Sequence, residues 1–186
     1  MGQPVSVAVV VPIRSFRLGK GRLAGVLDED ARAALSRRMA DRVLAAAAPL
    51  PIFVVTSDEE VVAFARDRGA TVVADPGSLN GAAHAGHDAA ADAGARRVIV
   101  AHADIAHPTP FAWVADFDGV TIVPDRHGTG TNVMAIPVQR GFVFAYGEGS
   151  RTRHEREANA RGLALRVVDD DALGWDVDEP DDVIDA

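Results

Sequence analysis

Two acidic stretches lie far apart in the chain, His102-Ala103-Asp104-Ile105 and Trp175-Asp176-Val177-Asp178-Glu179-Pro180. Asp176 and Asp178 are two positions apart, so an extended backbone turns both to the same side. Asp104 closes a strongly apolar run, Arg97 to Ala101, that reads as a strand. In an open α/β sheet the C-terminal ends of the strands meet at one crevice, and ligands bind there. Three carboxylates converging in that crevice repel one another unless a cation sits among them. Oxygen ligation by a few Asp side chains suits Mg²⁺, which fills its remaining positions with water and substrate phosphates. These residues therefore point to a magnesium-dependent enzyme acting on phosphates. The alternative is solvated surface acid, which is how Asp169-Asp170-Asp171 and Asp181-Asp182 read. Context separates the two sets: Asp176 and Asp178 alternate with Trp175 and Val177, and Asp104 ends a strand.

A second group of residues suits anions. Arg14, Arg17, Lys20 and Arg22 fall in one glycine-containing loop directly after the first apolar run. Such a loop embraces phosphates when its N–H groups and cations face the crevice, and is a plain surface loop when they do not. No G-x-x-x-x-G-K-[ST] is present, which excludes a P-loop, and no G-x-G-x-x-G follows the first strand. The stretch Asp125-Arg126-His127-Gly128-Thr129-Gly130-Thr131-Asn132 offers hydroxyls and N–H groups, although alone it reads as a hairpin turn. Tyr146-Gly147-Glu148-Gly149-Ser150 precedes a helix, with Ser150 as its natural N-cap. The same hydroxyl at a positive helix end could hold a phosphate or carboxylate. His84 and His87 lack a third ligand, so no metal site is assigned to them, and His154 reads as a partly buried structural histidine.

The elements that must position these residues follow from periodicity. Strands are predicted over Val5–Val11, Pro51–Thr56, Ala70–Ala74, Arg97–Ala101, Gly119–Val123, Thr131–Pro137 and Leu163–Val168. Helices are predicted over Asp28–Ala48, Glu59–Arg68, from the turn at Asp75–Gly81 to about Ala93, Thr109–Ala115, Ser150–Arg161 and Glu179–Ile184. This alternation implies a three-layer α/β fold, helices on both faces of a mostly parallel central sheet, with the last two strands forming a mixed edge. At 186 residues the chain is expected to form one domain, residues 1–186.

Composition narrows the partners. A net charge of −8 argues against nucleic acid, which needs a basic footprint, but leaves room for a small anion at a local basic loop. No apolar run is long enough to span a membrane, and Met1-Gly2-Gln3-Pro4 lacks a signal-peptide layout. The absence of cysteine excludes disulfides and thiolate metal sites and fits a cytoplasmic protein.

Taken together, the motifs resemble the CofC/FbiD family, the 2-phospho-L-lactate or phosphoenolpyruvate guanylyltransferases of coenzyme F-420 biosynthesis. The likeness runs in order along almost the whole chain. Val11-Pro12-Ile13-Arg14 and Gly19-Lys20-Gly21-Arg22-Leu23 are similar to the family's opening strand and Lys-x-Arg-Leu loop. Asp75-Pro76 with Leu79-Asn80 resembles its nucleotide-side segment, and Asp104 its strand-end aspartate. Gly128-Thr129-Gly130-Thr131-Asn132, Tyr146-Gly147 with Ser150 and His154, and Asp176-Val177-Asp178-Glu179-Pro180 resemble the remaining signatures. The resemblance implies a GT-A-like nucleotidyltransferase fold using GTP and Mg²⁺. It implies metal ligation by Asp104, Asp176 and Asp178, and contact of Thr131, Gly147 and Ser150 with the phosphorylated acid. It further implies nucleotide contacts from Pro12, Arg14, Lys20, Arg22 and Asn80, with Lys20 and Arg22 on the leaving pyrophosphate.

Two positions depart from the pattern: Asp104-Ile105-Ala106 replaces Asp-Leu-Pro, and Arg151, after Ser150, stands where an aromatic or small residue is usual. Arg151 is thereby a candidate for altering acceptor choice. Among phosphoenolpyruvate, 2-phospho-L-lactate and 3-phosphoglycerate, the alanine- and arginine-rich composition leans toward phosphoenolpyruvate. A downstream transferase that removes the product is the protein partner raised by the resemblance, and nothing in the pattern speaks to oligomeric state. The rival readings are a molybdopterin or sugar-phosphate nucleotidyltransferase, whose Leu-x-Gly-Gly segment is missing here, and a non-catalytic nucleotide-binding module.

Overall fold

The computed structural model describes residues 7–138 and 141–185. Val5 and Ser6 of the predicted first strand, the N-terminal residues 1–4 and Ala186 lie outside them. Seven strands form one sheet: β1 Val7–Pro12, β2 Ile52–Val55, β3 Thr71–Val73, β4 Arg97–Ala101, β5 Val120–Val123, β6 Val133–Pro137 and β7 Leu165–Val167. Their order across the sheet is β3-β2-β1-β4-β6-β5-β7. β1 pairs in parallel with β2 and β4, β2 with β3, and β5 with β7, whereas β6 is antiparallel to both β4 and β5. β6 was expected at a mixed edge with β7. It instead lies inside the sheet, because Val133, Met134, Ala135 and Ile136 are buried and need cover on both faces.

Helices flank the sheet: α1 Glu29–Ala47, α2 Glu59–Asp67, α3 Leu79–Asp92, α4 Ser150–Ala160 and the single turn α5 Asp171–Gly174. The predicted helices at Thr109–Ala115 and Glu179–Ile184 are 3-10 turns, Ala112–Ala115 and Pro180–Asp185. Side chains alternate along β1, so Val9 and Val11 join one core layer while Ala8 and Val10 join the other. That is why the run is apolar at every position. α3 comes so close to the sheet that a Cβ on Gly86 would lie 2.2 Å from Val10 Cγ1.

Polar residues set the helix starts. Asp28, Asp58 and Ser78 accept N–H bonds as caps of α1, α2 and α3. Asp170, expected as surface acid, caps α5 by accepting the Leu173 N–H at 2.8 Å. Asp182, also expected on the surface, is 1% exposed, while Asp181 is exposed. Among the described residues no helix is long and apolar enough to cross a membrane.

Candidate active site

Because β6 alone runs against its neighbours, the C-terminal ends of β1, β4 and β5 and the start of β6 open on one edge. The β1 end leads into the basic loop. Ile13, Phe16 and Leu23 are buried and anchor that loop, with Phe16 edge-on to Phe64 at 5.1 Å. The β4 end leads to Asp104. Opposite it, the C-terminal acidic stretch runs antiparallel: Ala106 N–H donates to the Trp175 carbonyl at 2.9 Å, Val177 N–H to the Asp104 carbonyl at 3.1 Å, and Ile105 bridges Asp176. Backbone pairing thus unites the two acidic stretches. Ile105 and Ala106, the departure noted above, are fully buried in this join.

The cation among the carboxylates is Lys20. Its Nζ lies 2.6 Å from Asp104 Oδ2 and 2.9 Å from Asp178 Oδ1, and its side chain is 8% exposed. Lys20 adopts a left-handed φ of 60°, which turns the side chain inward where the loop enters a 3-10 turn at Gly21–Gly25. Burial lowers the Lys20 pKa, but Asp104 and Asp178 outweigh it and hold the ammonium above its usual range. Burial likewise pushes Asp104 up, and Lys20 and His102 more than reverse it. Asp176 is raised, by burial first and then by Asp104, against a hydrogen bond from Asn132 Nδ2 at 3.2 Å. Arg22 pairs with Glu179 at 2.7 Å, and Arg17 turns away to Asp30 at 3.0 Å. Arg17, Lys20 and Arg22 of the loop are thus each paired with carboxylates.

The fit to a divalent cation rests on two observations. Asp104 Oδ1 is sealed from water with no hydrogen-bond partner, and Asp176 carries a charge its surroundings disfavour. Among the described residues no three His, Asp or Glu are drawn together as a finished metal cage. Mg²⁺ does not need one, since it commonly uses one or two carboxylates with water and substrate phosphates. The oxygen-only acidic set fits it.

A cleft of about 590 Å³ joins these groups. Its walls include Pro12, Arg14, Lys20, Arg22, Asp104, Thr131, Gly147, Ser150, Asp176 and Asp178. A smaller cavity of about 220 Å³ shares Pro12, Ile13, Arg14 and Leu79 with it and extends to Asp75 and Ser78. Asn80 stands behind the wall, its Oδ1 accepting the Tyr146 N–H at 2.6 Å. The Asp125–Asn132 segment is both the β5–β6 connection and a cleft wall. Asp125 accepts the Thr129 N–H at 2.8 Å, and a Cβ on Gly130 would lie 2.6 Å from Asp125 Oδ2. Ser150 does not cap α4. Gly149 holds that position with φ 68° and no side-chain bond, and Ser150, the first helical residue, is free to face the cleft. Arg151 is tied to Glu155 at 2.8 Å and the Gly128 carbonyl at 3.2 Å, on the far side of the hairpin from the cleft. His84 and His87 pack edge-on against Phe144.

Two contributors were missed in the sequence. Asn132 holds Asp176 and the Leu173 and Gly174 carbonyls. Asp182 accepts the N–H groups of Asp178 and Glu179, each at 2.8 Å, and pairs with Arg126 at 2.5 Å. The signal for Asp182 was its place four residues after Asp178, the reach of one helical turn.

This sheet with an acidic crevice at its strand ends defines an α/β nucleotidyltransferase fold. A solved nucleotidyl transferase from Methanothermobacter thermautotroptrophicus superposes with a TM-score of 0.67, covering 96% of this chain and 94% of its own at 15% identity, a likeness of fold alone. Residues 7–186 match the family described as "Guanylyl transferase CofC like", and the chain belongs to that family. It is 33% identical to the phosphoenolpyruvate guanylyltransferase of Sphaerobacter thermophilus, over 96% of this chain and 91% of that one. It is 37% identical to the 2-phospho-L-lactate guanylyltransferase of Halorubrum lacusprofundi, over 94% of this chain and 81% of the relative.

Proposed function

We propose that the protein is a one-domain, cytoplasmic enzyme that transfers GMP from GTP to the phosphate of phosphoenolpyruvate, releasing pyrophosphate, in coenzyme F-420 biosynthesis. The observation that carries this reading is that one cleft is lined both by Asp104, Asp176, Asp178 and Lys20 and by Thr131, Gly147 and Ser150. In the reaction an oxygen of the acceptor phosphate forms a bond to the α-phosphorus of GTP. The bond from that phosphorus to the β-phosphate oxygen breaks, and pyrophosphate leaves with the electron pair. A phosphate monoester has its second pKa at about 6, so the nucleophile is already a dianion at neutral pH. No general base is needed, in keeping with a site built from aspartates, cations and hydroxyls.

What the reaction needs is alignment and neutralisation of two anionic partners. Asp104, Asp176 and Asp178 would hold Mg²⁺, which when bound supplies charge stabilisation at the α- and β-phosphates. Lys20 and Arg22 serve the leaving pyrophosphate, which competes for them with Asp104, Asp178 and Glu179. Arg14 lies where the cleft meets the smaller cavity, suiting nucleotide on that side, and Asn80, which follows the shared lining residue Leu79, accepts the Tyr146 N–H behind it. The Ser150 and Thr131 hydroxyls suit the anionic acceptor, while the Ser150 and Arg151 N–H groups at the start of α4 are already given to the Gly147 and Thr129 carbonyls.

The test is pyrophosphate release from GTP with and without Mg²⁺, using phosphoenolpyruvate, 2-phospho-L-lactate and 3-phosphoglycerate in parallel, with a downstream transferase present to draw off product. Release with phosphoenolpyruvate alone is expected. Release with another of the three corrects the acceptor. Silence with all three while GTP still binds would move the protein to a nucleotide-binding module.

A further inference from the structure

Two hydrogen bonds to one buried ring fix where a proton sits beside the cleft. His154, in the second turn of α4, is fully buried. Its Nε2 lies 2.9 Å from the Ala145 backbone nitrogen. A backbone amide only donates, so Nε2 must accept and carries no proton. A neutral imidazole then keeps its single proton on Nδ1, and Nδ1 faces Thr131 Oγ1 at 3.1 Å. Burial, followed by Arg153, lowers the pKa of this ring to about 4, so neutrality is its state near pH 7.

The consequence reaches the cleft. The Thr131 hydroxyl has one proton and two lone pairs. One lone pair is taken by His154 from behind, and the hydroxyl proton must point elsewhere. Thr131 is 1% exposed and lines the cleft, which leaves a ligand there as the partner for that proton. Because Nδ1 donates rather than accepts, the ring does not consume the hydroxyl proton, which is kept for the cleft.

We propose that His154 is a positioning residue that commits the Thr131 hydroxyl to donating into the cleft. It thereby supplies the acceptor subsite with a hydrogen-bond donor for a carboxylate or phosphate oxygen, a pairing strengthened by that oxygen's charge. This rests on the reading of the Thr131 wall as the acceptor's subsite. The same ring ties the Thr131 hairpin to the Ala145–Gly149 loop, so it also sets the spacing of those two segments. A merely structural histidine would do only the latter, and the two roles separate by experiment.

The proton's place is read on ¹⁵N-labelled free protein by long-range ¹H–¹⁵N correlation. A protonated Nδ1 and a bare Nε2, unchanged from about pH 6 to 8, are expected. A proton on Nε2, or an imidazolium in that range, overturns the proposal. Kinetics tests the consequence. His154→Gln can accept the Ala145 N–H but offers no donor at the Nδ1 position, whereas His154→Asn places an amide N–H there. His154→Gln is expected to raise the KM for the acceptor roughly tenfold or more, the scale of one hydrogen bond to a charged group, with little change in the KM for GTP. His154→Asn is expected to recover most of that loss. Equal losses in both variants, or a KM for GTP rising in step, overturn it. If these variants do not fold, Thr131→Val is expected to show the same acceptor-specific rise, and an unchanged acceptor KM would sink the idea. Should the wild type release no pyrophosphate with any acceptor, the functional reading fails separately. Calorimetric binding of phosphoenolpyruvate to wild type and His154→Gln then replaces KM, and equal affinities overturn the positioning role.

Discussion

At the scale of single residues, the site holds charge that its surroundings resist. On the proposed function, Asp104→Ala or Asp176→Ala is expected to lower turnover by about a thousandfold or more while the far-UV and near-UV circular dichroism stay native, because each would remove a carboxylate proposed to hold the metal at the reacting phosphates. Wild-type-like activity in either would contradict the assignment. Asp176 carries a second consequence. Its carboxyl is raised, by burial first and then by Asp104, so the folded state holds its proton more tightly than the unfolded state does. The penalty for ionising it is therefore absent below the ordinary carboxylate range and complete once the pH exceeds the raised value. Asp176→Asn keeps an oxygen for the Asn132 amide and removes that penalty. It should raise the melting temperature at neutral pH by roughly 2–4 °C, in chelator, and the gain should vanish on acidification. A lower melting temperature would show that the charge is already compensated. In the expected outcome, stability and activity move in opposite directions at this one residue.

At the scale of elements, packing decides what each strand and helix tolerates. Gly86 lets α3 lie against β1 and β2. Gly86→Ala gains helix propensity but drives a methyl to 2.2 Å from Val10 Cγ1, and β1 is central and cannot yield. A net loss of about 1–3 kcal/mol is expected, read as a lower urea midpoint with an unchanged slope. Asp182 clamps the backbone that carries Asp178. Burial raises its carboxyl, but the Glu179 and Asp178 N–H groups and Arg126 outweigh this and hold it below the usual range. Its contribution is present above the ordinary carboxylate range and lost as pH falls through the lowered value. Asp182→Ala should therefore cost about 2–3 kcal/mol at neutral pH, less in acid, and should also lower turnover by loosening Asp178. Turnover at the wild-type level would mean that Asp178 needs no such support.

Elements were also the scale at which the sequence was most legible. Apolar runs and caps placed every strand and the long helices within a few residues, because periodicity and capping are local. The interior place of β6 was not legible, since nothing in five apolar residues states which neighbours they pair with. The site divided in the same way. Strand-end position was enough to gather Asp104, Asp176 and Asp178. Lys20, however, pairs with groups 84 and 158 positions away, and such a choice of partner belongs to the folded chain alone. Ser150 was misread as a cap because a glycine in the left-handed region does that work one residue earlier.

At the scale of the whole molecule, a net charge of −8 coexists with a cleft where Arg14, Lys20 and Arg22 stand among the acids, so the local field at the cleft is set by arrangement rather than by the total. The architecture is ordered along the chain in a further sense. All seven strands are complete at Val167, whereas Asp176 and Asp178 belong to a later segment held by the Ile105–Asp176 bridge, backbone bonds, the buried Val177 and ion pairs to Lys20 and Arg126. During synthesis the scaffold is therefore finished before the last of the acidic residues has been made. A chain stopped before Asp176 would already contain every strand of the sheet, yet lack Asp176 and Asp178 from among the aspartates that line the cleft.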